Sequence, residues 1–152
     1  MERTNKCNYD DLVNAVSTEN LNMVNLIFKY DHNSVSFINQ SSSFRGSPLF
    51  IAVEINNIEM VKTFLSIPKI NLNYALNGKT ILVYSLNNDK FEIAKLLIQD
   101  ERTDINIAKN EESPLVIAAQ KRKTDIIDLL INNPTFDERA NLLDYAFYIS
   151  NN

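Results

Sequence analysis

The sequence of 152 residues contains few of the side chains that most often carry chemistry. It has one cysteine, Cys7, one histidine, His32, and no tryptophan. A single cysteine excludes an internal disulfide, and one Cys with one His cannot form a zinc site of the usual composition. General acid and base catalysis needs titratable groups that converge in a pocket, and no repeated carboxylate pair accompanies His32. We therefore expect no catalytic residue, no metal site and no cofactor.

Glycine is also scarce, because Gly46 and Gly78 are the only two. Flexible linkers and glycine-rich phosphate loops are thereby excluded. The segment Gly78-Lys79-Thr80 resembles the end of a phosphate loop, but Asn73 stands where the earlier glycine belongs. Asparagine is abundant, and we expect Asn and Asp where the backbone needs a positive φ. With no Gly/Ser-rich or Pro-rich boundary, residues 1–152 are predicted to form a single domain.

Long apolar runs and an excess of positive charge are missing as well. No stretch approaches the roughly 20 apolar residues that span a bilayer, and the first residues are polar rather than signal-like. The net charge is -4 and the pI is about 5.0, whereas nucleic-acid-binding proteins usually carry a Lys/Arg excess on one face. We expect an intracellular, cytoplasmic protein with no nucleic-acid partner, no membrane insertion and no small-molecule substrate.

What the sequence does contain is an internal repeat. Leu49, Leu82 and Leu115 recur at a constant interval, each in a segment that begins with a hydroxyl residue. A second apolar stretch follows each leucine, and an acidic residue opens it: Glu59, Glu92 and Asp125. Within both stretches apolar positions recur at intervals of three and four residues, which indicates helices too short to be stable alone. The sequence therefore predicts helix pairs that bury their apolar faces against neighbouring pairs.

The ends of the predicted helices carry matching signals. Ser47, Thr80 and Ser113 stand at N-cap positions, and Pro48 and Pro114 follow at the first helical position. Two i,i+3 ion pairs are expected on the second helices: Glu59 with Lys62, and Glu92 with Lys95. The side chains expected to face the neighbouring units are Leu49, Ala52, Val61, Leu65, Leu82, Ser85, Ala94, Ile98, Leu115, Ala118, Ile127 and Ile131.

These features resemble the ankyrin repeat, a unit of about 33 residues whose signature is Gly-x-Thr-Pro-Leu-His-x-Ala-Ala. Gly78-Lys79-Thr80-Ile81-Leu82 and the segment 113–119 are the closest matches. The resemblance implies an all-α ankyrin-repeat solenoid of stacked helix-turn-helix units with β-turn or hairpin connections. Four units are implied, at approximately residues 8–40, 41–76, 77–109 and 110–137, followed by a C-terminal capping helix or half repeat at 138–152.

Each unit departs from the signature at two positions. The signature His is replaced by Val13, Phe50, Val83 and Val116. The usual glycine between the helices is replaced by Glu19, Asn56, Asp89 and Arg122. Hydrogen bonds that stiffen consensus arrays are expected to be missing, so we expect modest stability.

Ankyrin arrays bind other proteins through a concave face made of hairpin tips and the exposed positions of the first helices. The resemblance therefore implies a protein-protein interaction module or scaffold without enzymatic activity, whose partner is another protein. Carried over unit by unit, the partner-binding residues are Phe44, Arg45, Glu54, Ile55, Asn77, Lys79, Asn87, Asn88, Asn110, Glu112, Gln120 and Lys121, with Ser17 and Thr18 corresponding in the first unit. Phe44 and Ile55 are hypothesised anchors, because an aromatic beside Arg45 and an Ile at a position expected to be exposed suit an interface. The alternative is that Phe44 packs under its own loop and Ile55 touches the next unit.

Other functions stay open at this point. The protein could be an inhibitor that docks on an enzyme, a scaffold module of a longer chain, or a small hydrolase or transferase with an unrecognised carboxylate site. A pocket that gathers two or more carboxylates with raised pKa values would favour the enzyme. Lys121-Arg122-Lys123 is shorter than a targeting or nucleic-acid patch and is interpreted as a solvated turn, with an acidic partner as the alternative.

Asn73 and Asn106 match a hairpin Asn that, in the ankyrin family, can be hydroxylated by a 2-oxoglutarate-dependent oxygenase. We expect a structural role in the turn instead.

Overall fold

Short segments form pairs of helices in the computed structural model, which describes residues 7–30, 37–42, 46–106 and 113–150. The helices are α1 (Tyr9–Ser17), α2 (Leu21–Tyr30), α3 (Pro48–Glu54), α4 (Ile58–Leu65), α5 (Ile81–Asn87), α6 (Phe91–Ile98), α7 (Pro114–Gln120), α8 (Thr124–Ile131) and α9 (Glu138–Ser150). Two short strands, β1 (Ala75–Leu76) and β2 (Lys79–Thr80), precede α5. This arrangement confirms the predicted all-α, helix-turn-helix repeat fold class.

Residues 1–71 form the first of two compact units. In this unit α1 packs on α2 and α3, and α3 packs on α4. The side chains of Leu12, Leu49 and Phe64 are completely buried, and the ring of Phe28 meets Phe64 edge-on with the centroids 5.5 Å apart. Each helix of 7 to 10 residues is stabilised by this packing, since helices so short are marginal in water.

Residues 72–152 form the second unit. Here α5 contacts α6 and α7, α6 contacts α8, and α7 contacts α8 and α9. The strands β1 and β2 pair antiparallel around Asn77 and Gly78, whose φ angles are 53° and 84°. Positive φ at both central residues defines a type I′ turn, and Asn-Gly is the favoured sequence for it.

The expected N-caps are present. The side-chain oxygens of Ser47, Thr80 and Ser113 each accept a hydrogen bond from the backbone N–H three residues later, at 3.2, 3.2 and 3.4 Å. Pro48 and Pro114 lie at the start of α3 and α7, as predicted. The two expected i,i+3 ion pairs also form on the helix surfaces, with N–O distances of 2.8 Å for Glu59 with Lys62 and 3.0 Å for Glu92 with Lys95.

The turn between the helices of each pair needs a left-handed residue. Glu19, Asn56, Asp89 and Arg122 have φ between 55° and 59°, at the positions where the family signature has glycine. The residue after each of them donates its N–H to the carbonyl five residues earlier, as in Asn57 to Ala52 at 3.0 Å and Lys123 to Ala118 at 2.9 Å. This is the Schellman helix ending. Asn and Asp tolerate the conformation, as expected, whereas Glu19 and Arg122 adopt it without that tolerance.

Most of the predicted unit-facing positions are buried, but three are not. Leu65 and Ile127 are half-buried, and Ile131 is 46% exposed. The prediction for Ile131 was wrong. Its equivalent Ile98 is buried in α6, against which α8 packs, whereas α9 packs against α7, and Ile131 stays exposed beside the buried Leu130.

Candidate partner-binding surface

In the first unit, α3 is exposed only at its C-terminal end. Every residue of α3 from Pro48 to Val53 is buried. Glu54, the last residue of α3, is exposed, and Ile55, its C-cap, is half-buried. At the corresponding end of α1, Ser17 and Thr18 are exposed. The helix ends therefore carry the side chains that a partner could reach.

In the second unit, too, polar side chains lie at the C-terminal ends of the first helices. Of the residues that follow the buried part of α5, Asn87 is half-buried and Asn88 is exposed. At the end of α7, Gln120 is exposed and Lys121 is half-buried. The register of the repeat thus presents polar side chains at matching positions of successive helix pairs.

The connections before the first helices hold the other predicted residues. Asn77 is exposed at the tip of the β1–β2 turn, and Lys79 is half-buried on β2. Phe44, Arg45, Asn110 and Glu112 lie outside the described residues.

A tyrosine that the sequence analysis missed supports the connection before α3. The hydroxyl of Tyr9 donates to the carbonyl of Gly46 at 2.9 Å and accepts from the N–H of Ser42 at 3.2 Å. Ser42 and Gly46 form an antiparallel bridge, so Tyr9 ties α1 to both sides of this connection. No signal in the sequence marks Tyr9, because both contacts join residues that are far apart along the chain.

The side chain of Lys121 is bound by the preceding repeat. Its Nζ lies 2.7 Å from Oδ1 of Asp89 and donates to the carbonyl of Asn87 at 3.1 Å. Nearby, the Nζ of Lys123 lies 4.1 Å from the centroid of the Phe91 ring. Two cations of the run 121–123 are therefore engaged by the neighbouring helix pair, which fits the interpretation of this run as a turn rather than a basic patch.

Three asparagines fix the connections between successive helix pairs. The amide of Asn73 donates to the carbonyl of Arg102 at 2.9 Å, and its oxygen accepts from the N–H of Asp104 at 2.7 Å. In the same way, the amide of Asn106 donates to the carbonyl of Thr135 at 2.7 Å, and its oxygen accepts from the N–H of Asp137 at 2.9 Å. The amide of Asn39 donates to the carbonyl of Lys69 at 2.7 Å, and its oxygen accepts from the N–H of Asn71 at 2.8 Å.

These paired bonds confirm the structural role that was expected for Asn73 and Asn106. Each carboxamide satisfies one backbone donor and one acceptor of the following connection, and so holds that connection in register. Asn39 was missed because it lies one position out of the register that relates Asn73 to Asn106.

A cavity of about 1070 Å³ lies along α6 and α8 in the second unit. Its lining includes three carboxylates, those of Glu101, Asp125 and Asp128, together with Lys95. The Nζ of Lys95 lies 2.8 Å from Oδ2 of Asp125 and 3.0 Å from Oε1 of Glu92.

The hydrogen bonds of Lys95 shift its own pKa and that of Asp125. The hydrogen bond from Lys95 lowers the pKa of Asp125, and the bond to Asp125, followed by the one to Glu92, raises the pKa of Lys95. The pKa of Asp125 thus moves away from the raised value that a carboxylate catalyst acting near neutral pH would need. Among the described residues, no group of three or more His, Cys, Asp or Glu side chains could hold a metal ion.

A second ion pair lies beside the connection after α6. Nη2 and Nε of Arg102 lie 2.6 Å from Oδ2 and 2.8 Å from Oδ1 of Asp100. The pKa of Asp100 is lowered chiefly by this hydrogen bond, against an opposing effect of partial burial. The pair holds Arg102 where its carbonyl accepts from Asn73.

Comparison with known proteins gives the family. The profile described as ankyrin repeats, in three copies, matches residues 12–109, well over half of the chain. The chain belongs to the ankyrin repeat family. No curated protein matches it. Ankyrin repeats are generally protein-protein interaction modules and are typically not enzymes.

The helices that the structure describes in this ankyrin-repeat chain have 7 to 13 residues. Within the described part of the chain, none has the length and apolar character needed to traverse a bilayer.

Proposed function

We propose that this ankyrin-repeat protein binds a protein partner through the exposed ends of its first helices and the adjoining turns. One observation carries the proposal: α3, α5 and α7 are mostly buried, and each has one exposed polar residue, Glu54, Asn88 or Gln120, as its last residue or its C-cap. An exposed polar side chain thus recurs at the end of each of these helices, and exposed polar side chains suit recognition of a partner better than packing of a core.

The chemistry of these ends suggests how a partner is held. Glu54, Asn77, Asn88 and Gln120 are exposed and offer amide donors and acceptors and one carboxylate. Such groups form hydrogen bonds with a polar protein surface and fix its orientation. Ile55 is the apolar residue among the described candidates, and as a half-buried side chain it supplies a small patch for an apolar contact.

The proposal is tested by affinity purification from the native cell with quantitative mass spectrometry. The double variant Glu54→Arg with Asn88→Arg should lose most of the partner that the wild type retains, because bulky cations replace groups at two first-helix ends. The control, Glu59→Arg with Asn25→Arg, makes the same chemical changes at exposed positions of the second helices. It should retain the partner. Equal retention by both double variants, or equal loss from both, would contradict the proposal.

The identity of the captured partner then separates the forms of binding. If the partner is an enzyme, its activity with and without the ankyrin-repeat protein distinguishes an inhibitor from a scaffold.

A further inference from the structure

A groove distinct from the proposed partner-binding surface lies on the second helices of the second unit. It is the cavity of about 1070 Å³ along α6 and α8, and the proposed binding residues at the ends of α5 and α7 do not line it. Ile98, Leu129 and Pro134 provide its apolar lining. Ile98 is buried, Leu129 is half-buried and Pro134 is exposed, so apolar surface is accessible inside the groove.

The groove carries surplus negative charge. Lys95 is its lining cation, and this ammonium is already shared between two carboxylates, Asp125 and Glu92. Glu101 and Asp128 also line the groove and are exposed, and neither forms an ion pair with any residue that the structure describes. The charges left for a ligand are therefore those of two carboxylates.

The end of the groove is held in place by Asn133. Its amide nitrogen donates to the carbonyl of Ile98 at 2.9 Å, which ties the connection after α8 to the end of α6. Its oxygen accepts from the N–H of Thr135 at 2.9 Å and from the hydroxyl of Thr135 at 2.8 Å. A wall fixed in this way lowers the ordering cost that binding would otherwise incur.

We propose that this groove is a second docking site, and that it takes a basic segment of a protein that inserts an apolar side chain between α6 and α8. Lysine or arginine side chains of that segment face Glu101 and Asp128, and the apolar side chain covers Leu129. Charge complementarity selects the partner and speeds its encounter, while apolar burial supplies the affinity. This groove contains none of the residues of the proposed partner-binding surface. The docking-site proposal is therefore independent of the proposed function.

The test uses the full chain and a fluorescein-labelled peptide in fluorescence anisotropy. The probe is a synthetic peptide of about 14 residues of Leu, Lys and Ala, with leucine on one helical face and lysine on the other. A second peptide replaces every Lys with Glu. The lysine peptide should bind, more weakly as salt is added, and the glutamate peptide should bind at least about tenfold more weakly.

Two pairs of variants locate the binding. The double variant Glu101→Lys with Asp128→Lys should bind the lysine peptide about tenfold more weakly than the wild type, or weaker still. The control, Asp10→Lys with Glu138→Lys, changes the net charge equally at exposed positions. Its affinity for the peptide should fall by less than about threefold. Leu129→Gln should lower the affinity for the lysine peptide several-fold. Leu96→Gln should not, since Leu96 is the half-buried equivalent in the preceding repeat and does not line the groove.

Three results would overturn the docking site: equal losses from the two charge-reversal variants, equal binding by the Leu129 and Leu96 variants, or equal binding of the two peptides. Thermal unfolding of each variant shows that it is folded. If Leu129→Gln does not fold, the exposed pair Glu101 and Asp128 decides the question.

Discussion

Replacing Arg122 with glycine should stabilise the protein, although it removes an exposed charged side chain. Arg122 lies at the turn between α7 and α8 with φ of 55°. Its side chain is exposed and forms no ion pair with the part of the chain that the structure describes. The backbone bonds of the turn are made by main-chain atoms, from Arg122 to Ala119 and from Lys123 to Ala118, and they survive the substitution.

The size of the gain follows from two opposing effects. A residue with a Cβ atom pays about 1–2 kcal/mol for the left-handed conformation, and glycine does not. Glycine in turn loses more backbone entropy on folding, which costs about 0.5–1 kcal/mol. The balance is a gain of roughly 0.5–1 kcal/mol in the free energy of unfolding, which raises Tm by about 1–4 °C in a protein of this size.

Thermal unfolding followed by circular dichroism measures this gain. Arg122→Ala is the matched control, because alanine also removes the charge but keeps the Cβ atom, and it should leave Tm nearly unchanged. Asn56→Gly should gain less than Arg122→Gly, since asparagine tolerates the left-handed region better than arginine. The reasoning is refuted if Arg122→Gly melts at or below the wild-type temperature, or if Arg122→Ala is stabilised equally.

Three further predictions concern hydrogen bonds that hold the repeats. Asn73→Ala leaves the carbonyl of Arg102 and the N–H of Asp104 without this hydrogen-bond partner. The free energy of unfolding, measured with urea, should fall by about 1–3 kcal/mol. An unchanged free energy of unfolding would show that water replaces the amide. Ser47→Ala should cost about 1 kcal/mol by removing the buried N-cap of α3, and a cost within error of zero would contradict the capping role. NMR titration should place the pKa of Asp100 below its ordinary 3.8 and, in Arg102→Gln, return it upward. Because the pKa of Asp100 is lowered in the folded state, its pair with Arg102 stabilises the protein above pH 3.8, and this stabilisation is lost as the pH falls below that value. If Arg102→Gln unfolds in acid at the same pH as the wild type, the pair does not contribute to stability.

Local features of the fold could be predicted from the sequence. The constant repeat period, the hydroxyl N-caps and the acidic starts of the second helices are marked by residue type and spacing alone, so no knowledge of tertiary contacts is needed to find them. The positions between the helices were also identified as departures from glycine, and the structure gives all of them positive φ. The side-chain propensities of Glu19 and Arg122 do not predict that angle, which the Schellman bonds of the turn impose.

Features that join distant residues could not be predicted. The contact of Tyr9 with Gly46 and the pairing of Lys121 with Asp89 each link one repeat to the next, and no composition signal marks them. The groove along α6 and α8 likewise depends on two helices meeting in space. For the proposed partner-binding surface, the sequence indicated the ends of the first helices, but not that Ile55, Asn87 and Lys121 are half-buried there or that Lys121 is already paired, because repeat register gives position and not side-chain contacts.

Site-specific photo-crosslinking in the native cell tests binding at the first-helix ends most directly. A benzophenone amino acid at Asn88, exposed after α5, is compared with the same group at Asn25, exposed on α2. The proposed function predicts a discrete crosslinked protein from position 88 and none from position 25. The same products from both positions, or a product from position 25 alone, would contradict binding at the first-helix ends.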